Sequence, residues 1–191
     1  MNRFIFLLKK ELFDIIGSKA FLIFLIITSS IPIFLKINDL QILELLCQIL
    51  LIQRLCDKCK KELKNGTYLF YINTNISYKM LYFMQSIFCI TMASIPLLIN
   101  FKMLTNSDFK IFTLFILSMS FLYAFTSFFS YIFISNEFFA YLFSACTLPL
   151  IFFINQKLNF LLISTIYTIC TFLFYFLSKK AYHSKRFRIL C

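Results

Sequence analysis

Residues Arg54 to Lys79 read RLCDKCKKELKNGTYLFYINTNISYK, the one sizeable polar interruption in a chain of 191 residues. Apolar runs flank it on both sides. Upstream lie Ala20 to Leu35, bounded by Lys19 and Lys36, and Leu40 to Leu55, which contains Glu44; downstream lie Met80 to Phe101, Ile111 to Ser135, Phe138 to Gln156 and Leu158 to Ser178. A spanning helix needs about 20 apolar residues. The four downstream runs meet that length or approach it, while the two upstream runs are short and rely on flanking Lys or Arg reaching the interface. Composition agrees, with 61% hydrophobic residues and 20% aromatics against roughly 45–50% apolar residues in soluble domains. Mean hydropathy is +0.85.

The expected fold is therefore all-α, a polytopic membrane protein with six transmembrane helices preceded by an amphipathic interfacial helix. The whole chain, 1–191, reads as a single membrane domain, with the interfacial helix at 3–18, a cytoplasmic loop at 56–79 and a basic cytoplasmic tail at 179–191. In the first of these, Phe4, Ile5, Leu8, Leu12, Ile15 and Ile16 share one helical face opposite Lys10 and Asp14, the pattern of a helix lying in the interface. Gly17-Ser18 then permits a sharp turn into the first span. Lys9, Lys10, Glu11 and Asp14 precede the first apolar run and no small-residue cleavage site follows it, so a removed signal peptide is not expected.

The formal net charge of +11 is a membrane signature rather than a nucleic-acid one, because the basic residues cluster between and beyond the apolar runs. With six spans, 15 of the 19 Lys and Arg fall on one side and four on the other. By the positive-inside rule both termini and the 54–79 segment are cytoplasmic. Many Phe, Ile, Lys and Asn and no Trp are what AT-rich codons give. The expected location is a bacterial inner membrane, or a mitochondrial one if the chain is organelle-encoded.

Enzymatic chemistry is not expected. Only two glycines occur, Gly17 and Gly66, so neither a phosphate-binding loop nor a dinucleotide fingerprint can be assembled. Any ATP must be used by a partner. The single histidine, His183, sits in the basic tail, and no metalloprotease or nucleophile-elbow motif is present. Cys56-Asp57-Lys58-Cys59 has redox or half-zinc-site spacing but no second ligand pair, and coincidence in a chain of seven cysteines explains it better. Cys47, Cys89, Cys146 and Cys170 read as packing residues within spans. No catalytic residue, metal ligand or tightly bound cofactor is therefore assigned.

Glu44 is the one carboxylate inside an expected span. A buried ionisable group is a pathway candidate because hydrocarbon penalises charge, but Glu44 also lies near enough to the outer end to reach the interface or to pair with Lys36. Pro32, Pro96 and Pro149 fall in or near the outer halves of spans, where a kink is tolerated if neighbours satisfy the freed carbonyl.

Within 56–79, Gly66 breaks the basic stretch and Thr67 caps a short apolar helix from Tyr68 to Ile72, rimmed by Lys58, Lys60, Lys61 and Lys64. An interfacial helix, two spans, then Glu62, Gly66-Thr67-Tyr68, Thr74-Asn75 and, beyond them, Gln85 resemble the permease subunits of type-2 ABC exporters over nearly the whole chain. Within that group the length, the six spans and the spacing look like the heme exporter protein B family of the cytochrome c maturation system. The resemblance implies a permease that moves heme or a related compound with energy from a soluble ABC ATPase. It also implies other membrane subunits of that system and a second copy of the chain as partners, alongside lipid. Glu62, Gly66, Thr67, Tyr68, Leu69, Phe70 and Tyr71 would form the docking element, or coupling helix, for the ATPase. No intramembrane histidine offers itself as an axial ligand, and Met84, Met92 and Met119 suit core packing better than a porphyrin. A different exporter substrate, or a scaffold of an assembly complex that transports nothing, remains the alternative.

Overall fold

The computed structural model describes residues 3–34, 40–64, 67, 71, 76–100, 109–133 and 136–190. These form α1 (Arg3–Ile16), α2 (Lys19–Phe34), α3 (Leu40–Lys64), α4 (Tyr78–Ala93), α5 (Ile95–Ile99), α6 (Phe109–Ile132), α7 (Glu137–Lys157) and α8 (Phe160–Leu190), with no strand among the described residues. Helix starts follow from local chemistry. Ser77 caps α4, its Oγ accepting from the Met80 amide at 3.3 Å, and Asn136 caps α7, its Oδ1 accepting from the Phe138 amide at 3.2 Å.

Three helices, α6, α7 and α8, are long and apolar enough to cross a membrane, and α1 with α2 pass the same test as a pair bent by 75°. The bend falls at Gly17-Ser18, where the Gly17 amide donates to the Phe13 carbonyl at 2.9 Å and an added Cβ would stand 3.2 Å from that oxygen, so glycine lets the last turn of α1 close tightly before the chain bends. Of the other expected spans, those in α2 and α4 are short or interrupted, and that in α3 belongs to a continuous 25-residue helix whose second half is rich in charged residues. At 16 residues each, α2 and α4 measure about 24 Å, less than a hydrocarbon core of about 30 Å. The apolar run beginning at Met80 breaks at Ser94, one residue before α5 and two before Pro96, whereas Pro32 and Pro149 are carried inside α2 and α7. Asn100 beyond α5 is buried and donates to the Ser29 carbonyl of α2 at 3.3 Å, tying the broken segment back to the bundle.

The bundle is built around α3. Leu43, Cys47, Leu50, Leu51, Ile52 and Leu55 are at most 2% exposed, packed against α2, α4, α5, α6 and α7. By contrast Phe34, Phe109, Leu161, Ile169 and Phe172 stand largely open. Burying such a side chain is worth about 1.5–3 kcal/mol, so in water these five open residues would together forfeit on the order of 10 kcal/mol; lipid removes the penalty. Of its apolar window, α8 buries 11% and α6 44%, which puts α8 at the edge of the bundle and α6 inside it.

Two expectations are revised. The 56–79 stretch does not open as a loop at Cys56, because α3 continues without Gly or Pro to Lys64. The faces of α1 are also reversed relative to a helix with its polar side in water: Glu11 is 1% exposed, whereas Phe13 and Ile16 are 72% and 66% exposed. Lys10, Glu11 and Asp14 turn toward the protein with Leu7 and Ile15, while Ile5, Leu12, Phe13 and Ile16 face outward.

The most extensive helix contact is between α6 and α8, where Ala124 and Ser178 are fully buried and the Ser178 hydroxyl lies 3.4 Å from the Ala124 carbonyl. Small residues set this approach, as they do in lipid generally. Ala124→Leu should overpack it and destabilise the fold by about 1–3 kcal/mol, read as a lower midpoint in thermal unfolding in detergent. Phe172→Leu on the open face of α8 should leave that midpoint unchanged.

Candidate functional site

Charge concentrates at the end of the bundle where α3 stops and α4 begins. Arg54, Lys58 and Glu62 are spaced by four along α3 and so share one face, and all three are buried. Facing them are Lys10, Glu11 and Asp14 of α1. Lys58 Nζ meets Glu11 Oε1 at 2.5 Å, with side-chain exposures of 3% and 1%. Lys10 Nζ bridges Asp14 Oδ2 at 2.8 Å and Glu62 Oε1 at 3.0 Å. Arg54 points Nη1 at the Asp14 carbonyl near the carboxyl end of α1, at 3.5 Å, where a cation complements the helix dipole. Its guanidinium also stands 5.6 Å over the Phe21 ring. Three cations thus face three anions.

Glu62 Oε1 is the centre of the cluster. Besides Lys10 it accepts from the Tyr71 hydroxyl at 2.9 Å and from Gln85 Nε2 of α4 at 3.1 Å. One oxygen therefore joins α1, α3, α4 and the segment between α3 and α4. Lys10 also lies 5.4 Å over the Tyr71 ring. Burial by itself would lower the Lys10 pKa, but the Glu62 and Asp14 carboxylates outweigh it, and the ammonium is held above its ordinary 10.5. The stabilisation its pairs provide is accordingly complete below pH 10.5 and is lost only as pH rises through the folded value. Burial first, then the Glu62 carboxylate, pushes the Tyr71 phenol up, so it serves as a donor at neutral pH.

Beside this cluster Tyr78, Tyr82, Tyr123, Tyr131, Tyr175 and Tyr182 form a continuous aromatic group across α4, α6 and α8, with centroid separations of 4.8–5.9 Å. Leu7 of α1 packs into the same group. The charged cluster and the tyrosines together fasten α1 to the ends of α3, α4, α6 and α8.

Of the residues expected to form the docking element, Glu62 and Tyr71 are buried, at 7% and 1% exposure, and bond to each other rather than presenting a surface. Thr67 has helical backbone and is half-buried. Gly66, Tyr68, Leu69 and Phe70 lie outside the described residues. Lys58, expected as a rim charge, is buried in its pair with Glu11. Cys56 is buried in the apolar core, and no group of His, Cys, Asp or Glu able to hold a metal occurs among the described residues.

Glu44 sits at the opposite end of α3. Its Oε1 accepts from Ser118 Oγ of α6 at 3.0 Å, Gln48 Nε2 at 3.2 Å and Asn155 Nδ2 of α7 at 3.3 Å. Asn155 is in turn held by the Tyr167 hydroxyl of α8 at 2.9 Å. Beside the carboxylate lies a cavity of about 310 Å³, lined by Gln41, Gln48, Asn155 and Gln156 together with apolar residues of α3, α6 and α7. The expected alternative of a pair with Lys36 falls outside the described residues.

Sequence reasoning singled out Glu62 and Glu44 but missed Glu11, Arg54 and Lys58 as partners. The signal was present in the spacing by four on both helices, 54/58/62 against 10/14. Compared with known proteins, the chain matches no family model, no curated protein and no solved structure.

Removing one member of a buried pair strands the other, at a cost of about 3–5 kcal/mol, whereas replacing both by apolar residues is often neutral. Glu11→Ala should therefore lower the unfolding midpoint sharply, and Glu11→Leu with Lys58→Met should recover most of it. A double-mutant cycle in detergent measures the difference.

Proposed function

We propose that this chain is the permease subunit of an ABC exporter of the heme exporter protein B type, driven by a separate ATPase that docks on the segment between α3 and α4. The observation that carries the proposal is the convergence on Glu62 Oε1 of Lys10, Tyr71 and Gln85. A segment whose two ends are tied to the same buried carboxylate cannot move without moving α1, α3 and α4. That is the mechanical requirement for turning closure of an ATPase dimer into motion of membrane helices. The absence of any phosphate-loop motif in the sequence makes a partner the source of ATP.

The burial of Glu62 and Tyr71 divides the docking element into two roles. Glu62 and Tyr71 anchor the segment, and Thr67 with Tyr68, Leu69 and Phe70 contact the ATPase. In this reading the chain crosses a bacterial or mitochondrial inner membrane six times, α1 lies at the interface, and the termini face the cytoplasm or matrix with the docking segment. A second copy of the chain completes the pathway. Heme or a related compound is the cargo that the resemblance implies.

Two experiments test this. Reporter fusions or cysteine labelling should place Met1, Lys64 and Cys191 on one side and Asp108 on the other; an outward carboxyl terminus would remove the six-span arrangement. Co-purification with a soluble ATPase encoded beside it should fall by well over ten-fold in Tyr68→Ala/Leu69→Ala/Phe70→Ala, since buried interface anchors are worth about 2 kcal/mol or more each. Tyr71→Phe, which deletes only the hydroxyl on Glu62, should retain the ATPase but lose its stimulation of ATP hydrolysis. Undiminished co-purification of the triple variant would make the chain a scaffold rather than a coupled permease.

A further inference from the structure

An amide-lined cavity beside an ionisable group is costly in an apolar bundle unless something uses it. The three donors that hold Glu44 all reach Oε1. None of these bonds uses Oε2, which is not among the fully enclosed side-chain atoms that lack a partner, and Glu44 lines the cavity. No lysine or arginine of the described residues pairs with Glu44. The site is thus a fixed carboxylate with one oxygen already saturated and the other waiting for a donor.

We propose that this cavity binds a small organic monocation, an ammonium or amidinium group carried on an apolar body. The charged head pairs with Glu44 Oε2 and finds further acceptors in the Gln and Asn side chains; the body lies against Leu114, Ile151 and Phe152. Each rival occupant fails on one count. An anion meets a carboxylate and, among the described residues that line the cavity, no cation. A bare metal ion wants several charged oxygens, and the described lining residues offer one carboxylate. A proton needs no cavity, whereas about 310 Å³ lies at the lower end of small-molecule pockets. A heme, with its two propionates, is wrong in charge and too large. Because Gln41, Leu45, Phe152 and Gln156 line the cavity and are themselves exposed, a ligand can enter from the side between α3 and α7.

The binding site stands by itself and does not rest on the permease reading, whose implied cargo, heme or a related compound, is not its occupant. The test therefore omits ATPase and ATP. Purified protein in a non-ionic detergent is titrated calorimetrically with 2-phenylethylammonium, neutral 2-phenylethanol and 3-phenylpropanoate. The ammonium should bind at least ten-fold more tightly than the alcohol and the carboxylate not at all, and Glu44→Gln should abolish the preference while leaving alcohol binding in place. Equal affinities for amine and alcohol, or a preference that survives Glu44→Gln, would overturn the proposal. If Glu44→Gln does not fold, Ile111→Trp, which fills the cavity from α6 and leaves the carboxylate and its donors intact, takes its place. It should weaken the ammonium at least ten-fold, and unchanged affinity would likewise overturn the site. None of these outcomes depends on whether an ATPase docks at the other end.

Discussion

The arrangement turns on one carboxylate oxygen. Withdrawing a charge from water costs several kcal/mol even after relaxation, and attraction within a pair offsets this only where geometry is good and the remaining polar atoms are bonded. Glu62 Oε1 meets that condition with three donors, and Lys10 meets it by sharing itself between Glu62 and Asp14. The condition fails locally at Arg54, whose Nε and Nη2 have no hydrogen-bond partner among the described residues. Its contact with the Phe21 ring and the end of α1 stands in their place. Such a cluster contributes less to stability than to uniqueness, because only one rotation of α1 against α3 lets all these charges meet.

That rotation explains the outward apolar face of α1. A helix whose polar side is consumed by the protein must present its other side to the surroundings, and lipid accepts Phe13 and Ile16 where water would not. The same division runs through the bundle. Polar groups turn inward to bond one another at both ends of α3, and the large open aromatics sit on the perimeter. Glu44 and Glu62 are 18 residues apart on this one helix, about 27 Å along its axis. A displacement of α3 at one carboxylate is necessarily felt at the other.

Element existence was legible in the sequence, because uninterrupted apolar runs in lipid have no alternative but helix. The turn at Gly17-Ser18 was legible too, since one of only two glycines sits between a charged helix and an apolar one. The end of α3 was not. A basic, cysteine-containing stretch reads as solvated, and its continuation as helix to Lys64 rests on partners supplied by α1. The helical spacing of Arg54, Lys58 and Glu62 is visible in the sequence, but spacing on α3 alone does not identify the complementary face on α1. Glu44 stood out because carboxylates in apolar runs are rare. Its cavity did not, because Ser118 and Asn155 lie in different helices and neither is unusual alone.

The cluster also imposes an order on biogenesis. Lys10 and its partner Glu62 are 52 residues apart, and Glu11 and Lys58 are 47 apart, so while α1 and α2 are being made the charges of α1 can meet only one another, as Lys10 and Asp14 do. With 14 residues and Glu11 still without Lys58, α1 is too short to span the bilayer and must wait at the membrane surface. It can swing onto the bundle only once α3 has been inserted with its charged end at that same surface. Made well before Lys58 and Glu62, α1 is thus among the last helices to find its place, and a nascent chain that stalls before Lys58 emerges carries it exposed, charged and open to proteolysis.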